Sequence, residues 1–122
     1  MAEHFITEAV VGAAIEVHRH LGPGLLESVF EEALCHEMGL RDIEFQRQTP
    51  VDVKYKGVVI KGQRLDLLVA GQVVVELKAQ AKVPVAVVAQ ILSYLKPAGL
   101  KTALLINFGA PRLADGIKRI SL

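Results

Sequence analysis

Between Gln63 and Gln80 the chain reads QRLDLLVAGQVVVELKAQ, an apolar run broken by two carboxylates, Asp66 and Glu76, and one ammonium, Lys78. Ala70-Gly71-Gln72 in its middle has the composition of a tight turn, so the two halves are expected to pair as strands. Side chains alternate between the faces of a strand, which sets Glu76 and Lys78 on one face about 6–7 Å apart. Hairpin pairing can bring Asp66 opposite them. Charge inside strands that otherwise read as core is costly unless it is paired or holds a metal. Two carboxylates suit a hard cation such as Mg2+, with Mn2+ as a substitute, which takes oxygen ligands and keeps several waters. Asp66 and Glu76 would supply oxygens, and the backbone carbonyl of Leu77 a third. Lys78 would orient or deprotonate the attacking water, while the cation lowers that water's pKa and offsets charge on a phosphate. The implied reaction is attack of water on a phosphodiester. The competing reading of so short a pattern is a carboxylate–lysine pair across a hairpin, with the second carboxylate solvated.

The surrounding elements must position these groups. Thr7 is placed to cap a first helix, and Val10, Val11, Ala14, Ile15 and His18 then recur at helical spacing. Gly22-Pro23-Gly24 ends that helix near Leu21. A second helix is expected from about Gly24 to Met38, with Leu25, Val29, Ala33 and Cys35 or His36 as its apolar side, Leu26, Phe30 and Leu34 widening the stripe, and Gly39 as its stop. From Phe45 the period changes to two. Turns at Lys56-Gly57 and a break at Lys61-Gly62 divide Glu44 to Ala79 into a meander of three or four strands. Helical spacing returns in Val85, Val88, Ala89, Ile91, Leu92 and Leu95, opened by Pro84 and closed by Pro97 and Gly99. Thr102 to Phe108 is a continuous apolar run, read as a buried strand parallel to Val73–Ala79. Gly116 to Leu122 is read as an edge strand. The order describes an α/β fold with a mixed sheet and helices over its faces.

Bulk properties bound the remaining choices. A chain of 122 residues, 52% hydrophobic and 22% charged, is expected to form a single globular domain over residues 1–122. One cysteine, Cys35, leaves no internal disulfide framework and is read as a buried small residue. The N-terminus lacks the pattern of a secretory signal, and no apolar run is long enough for a membrane span, so the expected location is the cytoplasm, away from membranes. The net charge of +1 hides an asymmetry. Met1 to Glu44 holds nine acids against Arg19 and Arg41, and the remainder holds twelve Lys and Arg against four acids. A basic half could contact phosphates; oppositely charged layers that suit each other explain it more simply. The hydrophobic fraction favours a homo-oligomer.

Taken together, Asp66, Glu76-Leu77-Lys78 and a following helix with Gln90-Ile91-Leu92-Ser93-Tyr94 resemble the PD-(D/E)XK nuclease superfamily. The Gln-x-x-x-Tyr helix is typical of its RecB-like exonuclease branch. More closely, LGPGLLESVF (Leu21–Phe30), RLDLL (Arg64–Leu68), VELKA (Val75–Ala79) and LLINF (Leu104–Phe108) resemble the small bacterial GxxExxY proteins assigned to that superfamily, over about Ile6 to Ile120. The resemblance implies a restriction-endonuclease-like core and a Mg2+-dependent nuclease acting on nucleic acid, DNA in the first place. It implies that Glu27 helps hold the metal, directly or through water, and that Gln90 and Tyr94 face the metal site and the nucleic acid. Gly24 to Phe30 departs from the pattern at one position, where Phe30 replaces tyrosine. On spacing alone Glu27 reads as a solvated helix acid.

Gln90 is a polar amide inside an apolar stripe, which asks for a partner, and Tyr94, four residues on, shares its helix face. Arg64 lies two before Asp66 and could contact a phosphate or pair with Glu27 or Glu76. His4, His18, His20 and His36 have no zinc-like spacing with cysteine. The rival to a nuclease is a non-catalytic nucleic-acid- or protein-binding module that keeps the fold: aromatics are few, at 5%, and no DNA-recognition insert stands out. A third reading is metal-dependent hydrolysis of a smaller phosphate compound.

Overall fold

A computed structural model describes residues 2–122 of the chain. The described residues form the order α1 (Glu3–Leu21), α2 (Glu27–Leu40), β1 (Phe45–Tyr55), β2 (Val58–Val69), β3 (Val73–Lys78), α3 (Ala86–Ala98), β4 (Thr102–Asn107), a short 3-10 turn (Leu113–Gly116) and β5 (Ile117–Ser121). The strands lie in one sheet in sequence order. β1, β2 and β3 are antiparallel neighbours, α3 carries the chain to β4 parallel to β3, and β5 returns antiparallel at the edge. This is a mixed five-stranded sheet with three helices, an α/β architecture consistent with a restriction-endonuclease-like core. None of the described helices is long and apolar enough to cross a membrane.

Each face of the sheet buries its own core. α1 and α2 lay Ile6, Val10, Ala13, Phe30, Leu34 and Met38 over Leu67, Val69, Val73, Val75, Leu77, Leu104 and Ile106. α3 lays Val87, Ile91, Tyr94 and Leu95 over Val51, Leu65, Val74, Ala103 and Leu105. β3 and β4 are therefore covered on both sides, which is why they read as unbroken apolar runs. Phe30 is fully buried and stacks on Phe108 with ring centroids 4.6 Å apart; burying each such ring contributes roughly 1.5–3 kcal/mol.

Several local expectations need correcting. α1 begins at Glu3, and Thr7 lies inside it, buried, with its hydroxyl donating back to the His4 carbonyl at 3.0 Å. α2 begins at Glu27, three residues later than expected, and runs to Leu40. Its core face is Phe30, Leu34, Cys35 and Met38, while Leu25, Leu26 and Val29 are exposed. The apolar residues crowd most of this segment, so spacing left the choice of face open and the packing of Phe30 on Phe108 decided it. Lys61-Gly62 does not end a strand. Between the rungs Val51↔Gln63 and Val53↔Ile60, β2 carries one residue more than β1, a β-bulge that the positive φ of Gly62 permits. Pro97 sits in the last turn of α3, and Gly99 ends the helix in a left-handed conformation. The oppositely charged halves do meet: Arg47 on β1 pairs with Glu31 and Glu32 on α2, each at 2.7 Å.

Candidate active site

The β2–β3 ladder stops at Leu67↔Val75. One residue further, the Asp66 side chain enters: its Oδ2 accepts the backbone N–H of Leu77 at 2.9 Å. A carboxylate thus satisfies an N–H that the ended ladder leaves free. Across β2, Gln48 makes no rung with Asp66 and lies at φ 51°, in the left-handed region. The side-chain alternation breaks at this level. Leu65 packs into the α3 core and Leu67 into the α1–α2 core, although they are only two residues apart. Asp66 is therefore the point at which the sheet twists open, and Glu76 and Lys78 lie along β3 beside the gap.

Glu76 pairs in register with Leu105 of β4 and is 5% exposed. Its Oε2 is buried with no hydrogen-bond partner. Burial, followed by the adjoining Asp66 carboxylate, pushes its carboxyl up to about 9, with Lys78 opposing and Glu27 adding to the rise. Such a shift favours the protonated form, and a bound cation would reverse it. Lys78 ends β3, half-buried, opposite Asn107. Glu27, first in α2, opens onto a cleft of about 710 Å³ that it shares with Glu31, Glu32, Arg47, Gln48 and Asp66. Desolvation raises the Glu27 carboxyl, Lys78 lowers it, and Asp66 and Glu31 raise it further. Tyr94 is buried under the pair: burial and then the charges of Glu76 and Asp66 raise its hydroxyl, while Gln90 lowers it.

The structure brings Asp66, Glu76 and Lys78 together, with Glu27 at the mouth and Tyr94 beneath. Gln90 is exposed on α3, and its side-chain amide makes no hydrogen bond among the described residues, so the amide expected to have a partner is at the surface and Tyr94 is the buried member of the pair. Arg64 is exposed and pairs with neither Glu27 nor Glu76 among the described residues; the opening of the sheet at Asp66 removes the shared face that a regular strand would give it.

Spacing gave no notice of two supports. Asn107, 6% exposed, accepts the N–H groups of Gln80 and Gly109 at 3.0 Å each on Oδ1 and donates from Nδ2 to the Gln80 carbonyl at 2.8 Å. Phe108 donates its N–H to the Lys78 carbonyl at 2.8 Å. Gly109 lies so close that an added Cβ would stand 2.3 Å from the Gln80 carbonyl oxygen. Asn107-Phe108-Gly109 thus clamps the exit of β3 directly after Lys78. The second support is Arg47, whose two glutamate partners tie β1 to the start of α2, next to Glu27. A polar Asn ending an apolar strand and followed by glycine was the available signal for the first; nothing local announced the second.

The residues fit a divalent cation. Glu76 holds an orphaned buried oxygen, and Asp66, with Oδ2 committed to Leu77, has Oδ1 to offer. Two carboxylates with waters are an ordinary Mg2+ donor set. Among the described residues no group of three or more His, Cys, Asp or Glu is placed to hold a metal ion, so the donor set here is two carboxylates, with Glu27 on the neighbouring cleft.

A family model described as the PD-(D/E)XK nuclease superfamily matches residues 4–120. The chain belongs to that superfamily, whose members generally use divalent metals and act on nucleic acid. No curated protein and no solved structure matches the chain.

Proposed function

We propose that this protein is a Mg2+- or Mn2+-dependent nuclease of the GxxExxY group, hydrolysing phosphodiester bonds of nucleic acid, DNA first, within one domain spanning the chain. The observation that carries the reading is the unpartnered, buried Oε2 of Glu76 beside the Asp66 carboxylate. Setting the buried carboxyl of Glu76 beside the half-buried Asp66 carboxylate opposes folding unless a cation offsets them. Asp66, Glu76 and the Leu77 carbonyl would hold that cation, with Glu27 assisting through water. When bound, it supplies a Lewis acid against the negative charge that develops on the phosphate. Lys78, on the same face, would orient the attacking water or, in its neutral amine form, take up its proton; the clamp on Gln80 keeps the lysine in place. Tyr94 shapes the floor on which a scissile phosphate rests, with Gln90 one helical turn before it at the surface, and Arg64 contacts the polymer outside the cleft.

The test is cleavage of labelled DNA and RNA oligomers with Mg2+ or Mn2+. The wild type is expected to cut. Asp66→Asn and Glu76→Gln should abolish cutting, and Lys78→Ala should slow it by about 10²–10⁴-fold, the range for a lost acid–base group. A wild type that binds the cation and the oligomer yet cleaves neither points instead to a binding module on a nuclease fold.

A further inference from the structure

The β1–β2 hairpin continues past the core as an arm. From Asp52 to Gly62 every residue is exposed except half-buried Val53. Its rungs are Val53↔Ile60, Lys54↔Val59 and Tyr55↔Val58, closed by Lys56-Gly57, both at positive φ, the tight turn that a two-residue hairpin needs. The bulge at Lys61-Gly62 sets the arm off from the rest of β2 and re-aims it. Opposed residues of a hairpin share a face. One face is therefore Val53, Tyr55, Val58 and Ile60, with Tyr55, Val58 and Ile60 at 59%, 60% and 49% exposure. Its cations are Lys54, Lys56 and Lys61. Its one acid, Asp52, is taken by Lys61 at 3.2 Å, and Lys56 stands 5.4 Å from the centre of the Tyr55 ring.

We propose that this arm is a DNA-docking element that enters the major groove of a duplex. The proposal rests on the nucleic-acid reading above for the class of partner. A two-stranded ribbon fits a major groove about 12 Å wide and 8.5 Å deep. Three rungs at about 3.3 Å give the arm a reach of roughly 10 Å, matched to that depth. Inserted tip first, the ribbon brings Lys56 at its turn to the groove floor and faces one wall with its apolar side and the other with Lys54, where phosphates line the rim. The charge is complementary: Lys54 and Lys56 have no acidic partner among the described residues. A second copy of the chain suits the arm less well. Its apolar face offers roughly 300 Å², well below the ~800 Å² per partner of a standard interface, and symmetric packing would bring lysines near lysines. The arm continues the strand that bears Asp66: Asp66 lies six positions beyond Ile60, roughly 20 Å of strand. A duplex seated on the arm therefore lies within reach of the cleft.

The test uses the full chain and fluorescence anisotropy with a labelled 20-base-pair DNA duplex without added cation, across a salt series. Lys54→Glu/Lys56→Glu and, separately, Tyr55→Ser/Ile60→Ser should weaken binding by about tenfold or more, and the lysine variant should reduce the salt slope. Both variants should keep wild-type Mn2+ affinity and wild-type hydrolysis of a small chromogenic phosphodiester, which cannot reach the arm. The same sequence as duplex RNA, whose major groove is deep and narrow, should bind more weakly than DNA; equal binding overturns the groove placement. Arm variants that bind DNA like the wild type overturn the proposal, and a loss of dimer in sedimentation alongside unchanged DNA binding would assign the arm to a second copy. Hydrolysis of the small diester with an indifferent arm leaves the catalytic reading standing; arm-dependent DNA binding without any hydrolysis does the reverse.

Discussion

The Asp66 carboxylate accepts the Leu77 N–H at 2.9 Å, one residue beyond the last β2–β3 rung. The same side chain that offers an oxygen to a cation also fixes the peptide between Glu76 and Lys78. Removing the acceptor strands the backbone donor of Leu77, a fully buried residue. Asp66→Ala should therefore cost about 1–3 kcal/mol of stability. Asp66→Asn keeps an acceptor for Leu77 and should cost less, while still losing cation affinity. Urea unfolding of both variants in chelator separates the structural bond from the charge.

Glu76 gives the apoprotein a pH signature. Its carboxyl is raised in the fold from an ordinary 4.5 to about 9, so between those values the folded state binds the proton more tightly than the unfolded state. Its contribution to stability is fully present below about pH 4.5 and is lost as pH rises toward 9. Glu76→Gln carries no such loss, so its stability should exceed that of the wild type increasingly from pH 6 to 9 in chelator. Cation uptake must release the proton, so affinity should rise with pH over the same window. Thermal midpoints across pH, with and without Mn2+, read both effects.

The clamp at the end of β3 should be unforgiving. Asn107→Ala leaves two N–H groups and one carbonyl without their partner, each worth about 1–3 kcal/mol when buried. Gly109→Ala drives a methyl group to 2.3 Å from the Gln80 carbonyl oxygen and should be at least as damaging. Loss of Lys78 function should accompany either change in whatever fraction still folds, seen as reduced cleavage with retained Mn2+ binding.

Phe30 stands where the resembled pattern has tyrosine, and it is fully buried on Phe108. Restoring the tyrosine buries a hydroxyl in an apolar stack and should destabilise by about 1–3 kcal/mol, measurable by urea unfolding. Equal or greater stability would mean that the ring edge reaches a polar partner.

The Asp66–Glu76–Lys78 cluster was legible because charge inside apolar strands is costly, and the α3 crossover because helical spacing sits between two apolar strands. The covered faces of β3 and β4 were equally plain in their unbroken Val and Leu. The rest depended on tertiary contacts. The buried face of α2 could not be read, since Leu25, Leu26 and Val29 are as apolar as Phe30, Leu34 and Met38. Gln90 and Tyr94 are one turn apart, and only the packing of α3 on the sheet decides which is buried. Lys61-Gly62 looks like a strand break and is a bulge, because glycine at positive φ serves both. Arg64 lost its expected neighbours where the alternation fails at Asp66, a twist that no local pattern signals. Arg47 was invisible for the same reason: its partners lie fifteen and sixteen residues away on another element.

The most direct test of the central claim, that Asp66 and Glu76 form a divalent-cation site, is a calorimetric titration of Mn2+ and Mg2+ into wild type, Asp66→Asn and Glu76→Gln, with folding checked by circular dichroism and with a DNA oligomer present in a parallel series. The wild type is expected to bind with release of a proton, and each folded variant to bind at least tenfold more weakly (about 1.4 kcal/mol). A wild type that binds no cation even with the oligomer present, or folded variants that bind as well as the wild type, would contradict a cation site there and leave Asp66, Glu76 and Lys78 as a buried ionic network.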